Sequence, residues 1–153
     1  MDITPTADFE AGRITRTVRV AASQRETWAA LTDPAAIEQW WGHPAVFPDG
    51  VREGAEGTFE WVGHGLMPMR VERFDEPHHF DLLWGDVGTD APGEDASLVQ
   101  FTLEPEGPDH TLVTVVESGF DRLETADRRA AMEENVKGWT NVLDSFVAHV
   151  EGQ

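Results

Sequence analysis

The chain has 153 residues, a length that suits one domain, and its hydrophobic fraction of 40% and charged fraction of 26% are ordinary for a globular protein. It contains no cysteine, which excludes a disulfide framework and a thiol nucleophile, and no apolar run approaches the roughly 20 residues of a membrane span. The formal net charge is −18, and the segment from Asp75 to Asp121 contains 12 acidic residues but no Lys or Arg, so nucleic acids and anionic membranes are poor partners.

Residues 1–12 show no hydrophobic period and contain Pro5 and Gly12. We therefore predict a flexible leader, followed by a single domain over residues 13–151. The leader lacks the basic and apolar regions of a secretory signal. Together with the absence of cysteine, this predicts a cytoplasmic protein.

The domain is predicted to open with one strand and two short helices. Residues 14–20 alternate apolar and polar side chains, mostly β-branched, as in a half-buried strand. Ser23 and Glu26 have the spacing of a capping box, which predicts a helix that starts at Ser23. Asp33 is followed by a proline and predicts the N-cap of a second helix, which Gly42 ends.

Five further strands are predicted after the second helix, over residues 57–63, 67–74, 80–84, 98–104 and 111–118. Most separators are short and rich in turn residues, so neighbouring strands are expected to pair antiparallel. The exception is a long loop over residues 85–97, which carries the acidic residues Asp86, Asp90, Glu94 and Asp95. We predict a solvent-exposed connection there, with a lid over a binding site as the functional alternative.

The C-terminal segment, residues 126–150, is the clearest helix. One apolar stripe recurs along it at spacings of three and four residues and consists of Met132, Val136, Trp139, Leu143, Phe146 and Val150. A long helix with one apolar stripe, beside a sheet with one apolar face, should pack across that sheet. The predicted class is therefore α+β.

Four segments resemble the START-like (SRPBCC) superfamily: DPAAIEQWWGHP, GTFEW, RFDEPHHFDLLW and ESGFDRLETADRRAAMEENVKGWTNVLDSF. Within it they are similar to the domain named after the activator of the heat-shock-protein-90 ATPase, and the tail from Glu117 is similar to the calicheamicin self-resistance protein. The match extends over almost the whole chain. The most specific pieces are Trp-Trp-Gly at residues 40–42 and Gly138-Trp139; His43 departs from the Trp-Trp-Gly-Pro of many relatives.

The resemblance implies a helix-grip fold: a curved antiparallel sheet of about six to seven strands wrapped around the long C-terminal helix, with two short helices after the first strand. It also implies an internal cavity between sheet and helix. Superfamily members use that cavity for lipids, polyketides, hormones and other hydrophobic molecules, and a minority are cyclases or hydrolases. Fold alone does not assign one of these functions.

Two of the six tryptophans are adjacent, at positions 40 and 41. Because neighbouring residues of a helix point about 100° apart, we predict that one packs as core and the other faces the cavity. Ordinary packing of both is the alternative. The predicted apolar ligand-binding lining consists of Trp40, Trp41, Trp61, Met69, Trp84, Phe101, Trp139 and Leu143. Taken singly, such residues are more often core than ligand wall, and it is their number that favours a lining.

The polar residues do not predict catalysis. The six histidines include no pair at the helical i, i+4 spacing of a metal site, and no nucleophile motif is present. Glu60, His64 and Arg70 lie near predicted strands and could supply polar groups to the cavity. Glu60 and His64 are, however, an odd number of residues from Trp61, so they are expected on the opposite face of the sheet from it. We predict no catalytic residue, no metal and no cofactor.

The favoured function is a binding protein for a small hydrophobic or aromatic molecule, acting in sequestration, transport or sensing. One alternative is an enzyme of the polyketide cyclase kind, which needs convergent polar groups in the cavity. The other is a protein-interaction module like the co-chaperone domain. The sequence leaves a homodimer and a protein partner open.

Overall fold

The computed structural model describes residues 6–61, 63–85, 88–93 and 96–152. In this part of the chain the elements, in order, are β1 Thr6–Asp8, β2 Arg13–Val20, α1 Gln24–Thr32, α2 Pro34–Trp41, β3 Ala45–Val46, β4 Glu56–Trp61, β5 Gly65–Asp75, β6 His79–Trp84, β7 Ser97–Pro105, β8 Thr111–Ser118 and α3 Thr125–Glu151. None of the described helices is both long and apolar enough to span a membrane.

The described strands form one curved antiparallel sheet in the order β1-β2-β8-β7-β6-β5-β4-β3, and α3 packs against it. The predicted α+β helix-grip fold is thereby confirmed. The sheet has eight strands instead of the predicted six to seven, because β1 and β3 add a short strand at either edge. Strands of two or three residues carry too little alternation for a sequence pattern to reveal them.

β1 lies inside the segment that was predicted to be a leader without regular structure. Its residues pair with β2, from Thr6 opposite Thr15 to Asp8 opposite Arg13. The following Phe9 packs under the guanidinium group of Arg129 in α3, 4.2 Å from the ring centroid. Residues 1–5 of the predicted leader lie outside the described residues.

Local signals in the sequence set the two short helices. The Ser23 hydroxyl accepts a hydrogen bond from the Glu26 amide at 3.1 Å, and this caps α1. The Asp33 carboxylate accepts one from the Ala35 amide at 3.2 Å and caps α2. Gly42 adopts φ 87°, the left-handed conformation that ends α2. The chain therefore turns immediately after Trp41.

Helix α3 buries most of its predicted stripe: Met132, Trp139, Leu143, Phe146 and Val150 are buried. Val136 is only partly buried and borders a shallow surface pocket with Ala7 and Phe9. At this level α3 faces the three-residue strand β1, which covers it incompletely. The prediction that the whole stripe is buried is therefore wrong at Val136.

Arg16 ties α3 to the sheet from the inward face of β2. Its guanidinium group, buried among apolar side chains, donates to the carbonyl oxygens of Trp139 at 3.0 Å and Thr140 at 2.8 Å. It also pairs with Asp144 at 2.6 Å. These bonds fix the position of the middle of α3, which carries one wall of the cavity described next.

Candidate functional site

A cavity of about 420 Å³ lies between α3, the end of α2 and the strands β4 to β8. Its apolar wall is formed mainly by tryptophan and consists of Trp41, Trp61, Met67, Trp84, Trp139 and Val142. Its polar lining consists of His43, Ser97, Glu117, Arg122, Asn135 and Asn141, and two glycines, Gly85 and Gly138, complete it. The cavity is therefore amphipathic.

Three of the tryptophans form one aromatic cluster. The ring centroids of Trp41 and Trp84 are 5.1 Å apart, and those of Trp41 and Trp139 are 5.7 Å apart. Trp84 and Trp139 stack at 5.8 Å with 25° between their planes. The fourth, Trp61, contacts the His43 ring at 4.5 Å. Such a wall presents flat apolar faces with negative π density to whatever enters.

The adjacent tryptophans of α2 have different environments. Trp40 is 4% exposed, its indole N–H donates to the Ala30 carbonyl oxygen at 2.9 Å, and its ring contacts Phe146 at 4.9 Å. Trp41 is half-buried, stacks on Trp40 at 5.1 Å and lines the cavity. The structure thus places Trp40 in the core and Trp41 in the cavity wall.

Glu117 of β8 is the most buried charged residue of the cavity, at 2% exposure. Its Oε1 accepts two hydrogen bonds from α3: from the indole N–H of Trp139 at 2.9 Å and from the amide of Asn135 at 3.0 Å. Burial raises the pKa of the Glu117 carboxyl, and these two bonds and the charge of Arg122 only partly oppose that rise.

Three buried side-chain nitrogens have no hydrogen-bond partner within the described residues, and two of them belong to the cavity wall. These are Nδ1 of His43 and Nε1 of Trp84. A buried polar atom without a partner costs about 1–3 kcal/mol. This cost is concentrated at the cavity.

The structure brings four of the eight predicted lining residues together in the cavity wall: Trp41, Trp61, Trp84 and Trp139. The other four do not line it and are core residues: Trp40, Met69, Phe101 and Leu143. Met67, two residues before Met69 on the same face of β5, lines the cavity instead, and its sulfur accepts the Trp61 N–H at 3.4 Å. The alternation of side chains along a strand predicts which face of the sheet a residue occupies, but not whether it lies beside the cavity or deeper in the core.

The polar lining was missed by the sequence reasoning. Glu117 had a readable signal, because it shares the inward parity of the buried Val113 and Val115 on β8. A carboxyl group in an inward-facing series is an exception that calls for a partner or a function. Asn135 and Trp139 are four residues apart on α3, so both can reach the same carboxyl oxygen.

The other polar candidates lie elsewhere. Glu60 and His64 are exposed, as their parity predicted, and Arg70 pairs with Glu72 at 2.7 Å. Among the described residues no group of His, Asp and Glu could hold a metal ion. In the loop 85–97, Asp86, Glu94 and Asp95 lie outside the described residues, and the lid remains a prediction.

Comparison with known proteins identifies the family of this chain. The family model described as Activator of Hsp90 ATPase homolog 1-like protein matches residues 21–151, which confirms the resemblance predicted from the sequence. A search of curated proteins gives no significant match.

Solved structures share the fold. A protein from Arthrobacter aurescens is 19% identical, with 99% of this chain and 92% of that chain covered and a TM-score of 0.77. CalU16 from Micromonospora echinospora is 25% identical, with 92% and 74% covered and a TM-score of 0.66. DynU16, described as a protein in the dynemicin biosynthetic locus, is 20% identical, with 92% and 47% covered and a TM-score of 0.74.

Proposed function

Because the chain belongs to the family of Activator of Hsp90 ATPase homolog 1-like proteins, whose fold is a ligand-binding fold in general, we propose that it binds a small hydrophobic or aromatic molecule in the tryptophan-lined cavity. The observation that carries the proposal is the convergence of Trp41, Trp61, Trp84 and Trp139 on one cavity of about 420 Å³. A volume in this range accepts a guest of drug-like size. The similarity to CalU16 and to DynU16, which is described as a protein in a biosynthetic locus, supports the same fold.

The arrangement favours a flat guest. The ring centroids of Trp84 and Trp139 are 5.8 Å apart and those of Trp41 and Trp84 are 5.1 Å apart, so the three rings pack on one another and form one aromatic surface for a guest. Burial of about 250 Å² of apolar guest surface yields about 6 kcal/mol at roughly 25 cal/mol per Å². Lost freedom on association removes much of this, so micromolar to millimolar affinity is expected for a guest that is not the natural one.

The middle of α3 contains a glycine, Gly138. A glycine inside a helix costs about 1 kcal/mol relative to alanine. A Cβ atom added to Gly138 would meet no other atom within 4 Å, and the residue borders the cavity. The missing side chain is therefore not demanded by close packing. Because Gly138 is itself exposed, the space beside it lies at the open side of the cavity.

Two alternatives receive less support. A co-chaperone-like interaction module needs an exposed apolar face, and the exposed large hydrophobic residues of the described chain are Val46 and Leu66, at 52% and 53%. An enzyme needs convergent acid–base groups. In the described part of the cavity, Glu117 is the titratable residue with a shifted pKa, and its Oε1 is already engaged by two donors. This arrangement suits recognition better than proton transfer.

The test is to block the cavity from α3. Gly138→Phe places a ring at the open side of the cavity, and the neutral aromatic dye N-phenyl-1-naphthylamine reports binding by a rise in its fluorescence. We expect saturable binding by the wild-type protein and a loss of at least about tenfold in affinity in the variant.

Ser145→Phe is the matched control, because it adds the same ring to an exposed position of α3 outside the cavity. It should bind the dye like the wild type. Absence of saturable binding by the wild type, or equal affinity of both variants, would contradict the proposal. Native mass spectrometry of the purified protein would then identify a co-purified molecule.

A further inference from the structure

We propose that the guest is a hydrophobic amine, and that Glu117 holds its ammonium group while the tryptophans hold its apolar body. This inference rests on the proposed binding function and specifies the class of molecule. It depends on the position of one carboxyl oxygen, on the aromatic wall beside it and on the charge of the whole chain.

The carboxyl group of Glu117 has one engaged oxygen and one that is free for a guest. Trp139 and Asn135 both donate to Oε1. Within the described residues, Oε2 makes no hydrogen bond, and the residue borders the cavity. The two bonds from α3 hold the carboxyl in place, as a recognition group requires. A donor from the guest would satisfy Oε2.

The surroundings favour a donor with positive charge. Indole faces attract cations, and Trp139 joins the aromatic wall directly to the carboxyl. The chain carries a net charge of −18, so its field concentrates cations near the surface. An ammonium group in the cavity would also compensate a carboxylate that is otherwise costly to bury.

Arg122 and His43 are the other titratable residues of the described cavity lining. Arg122 is exposed, and its guanidinium group donates to the Gly119 carbonyl oxygen. No ion pair joins it to Glu117 in the part of the chain that the structure describes. The charge of the exposed guanidinium favours the ionised form of Glu117 but only partly offsets the burial of that carboxyl, so the carboxylate still gains from a cation in the cavity.

The test compares three probes with the same apolar body: 4-phenylbutylamine, 4-phenylbutanol and 4-phenylbutyrate. Isothermal titration calorimetry at neutral pH gives their affinities for the wild type and for Glu117→Gln. Glutamine keeps an oxygen that accepts from Trp139 and Asn135, but it removes the charge. We expect the wild type to bind the amine at least about tenfold more tightly than the alcohol, with the carboxylate weakest. In the variant the amine should lose this advantage, so that the ratio of amine affinity to alcohol affinity falls towards one.

A pH series of the wild type gives a second readout that needs no variant. Alkylamines remain protonated up to about pH 10, like lysine. Amine affinity should therefore rise as the pH increases through the pKa of Glu117 and the carboxyl ionises, whereas alcohol affinity should stay flat. Equal affinity for amine and alcohol would overturn the amine inference and leave the binding function standing. Failure of all three probes to bind would count against both.

Discussion

The adjacent tryptophans of α2 allow a direct separation of stability from binding. We compare Trp40→Ala with Trp41→Ala, two identical truncations at neighbouring positions. Trp40 is 4% exposed, donates to the Ala30 carbonyl oxygen and packs on Phe146. Trp41 is half-buried and faces the cavity. The first change should mainly lower stability, and the second should mainly weaken binding.

The magnitudes follow from the contacts. Truncation of a buried tryptophan typically costs about 3–5 kcal/mol, and loss of its hydrogen bond leaves the Ala30 carbonyl without that donor, so we expect the upper part of this range for Trp40. Trp41 loses only its contacts with Trp40, Phe59 and the other cavity rings, which suggests about 1–3 kcal/mol. If a guest buries about 50 Å² against the Trp41 ring, its loss weakens binding by about 1.2 kcal/mol, or nearly tenfold.

Stability is measured by urea denaturation, followed by far-ultraviolet circular dichroism so that the removed indoles do not alter the signal. Binding is measured with N-phenyl-1-naphthylamine in the absence of denaturant. The reasoning is refuted if both substitutions reduce the free energy of unfolding equally, or if Trp41→Ala binds the dye as tightly as the wild type.

Two further predictions concern buried polar groups. Because burial raises the pKa of Glu117 above the unfolded value of 4.5, the folded state binds the proton more tightly, so its contribution to stability should fall as the pH rises from about 4.5 through the raised pKa. Glu117→Gln should flatten the fall of the urea midpoint with pH between pH 4 and 8. Asp81, whose pKa is also raised, contributes with the same sign and remains in the variant. An unchanged slope would contradict a raised pKa of Glu117. The second prediction concerns the bonds from Arg16 to α3. Arg16→Met should lower the free energy of unfolding by about 2–4 kcal/mol, because it removes hydrogen bonds to two carbonyl oxygens. Asp144→Ala should lower it by less than about 1 kcal/mol, because Asp144 is 59% exposed. Equal losses in urea denaturation would show that the ion pair, and not the carbonyl bonds, holds the helix.

Most of the architecture was readable from the sequence because its signals are local and repeated. The stripe on α3 recurs over about five turns. The caps Ser23 and Asp33 act on the next few residues, so both signals can be recognised without tertiary information. The short strands β1 and β3 depend on partners far along the chain and have little pattern of their own. Pairing, not propensity, makes them strands.

The residues of the cavity wall were harder to predict. Such a residue must lie on the inward face of its strand or helix and also at the position along that element where the cavity opens. Met69 was predicted to line the cavity and does face inward, but the cavity lies one inward position away, at Met67. Phe101 and Leu143 are inward-facing in the same sense and end in the core. The split between Trp40 and Trp41 follows from helix geometry, but only the packing of Phe146 decides which of the two is core.

Several features that lower the stability of this chain lie at the cavity. A glycine interrupts the middle of α3 at Gly138, a carboxyl with a raised pKa is buried at Glu117, and the buried nitrogens of His43 and Trp84 have no partner among the described residues. Each lowers stability by about 1 kcal/mol or more. A chain shaped only by stability would have filled or paired these positions, as it does at Arg16 and Trp40. Costs that cluster where four tryptophans leave open space are what a binding site imposes on its scaffold.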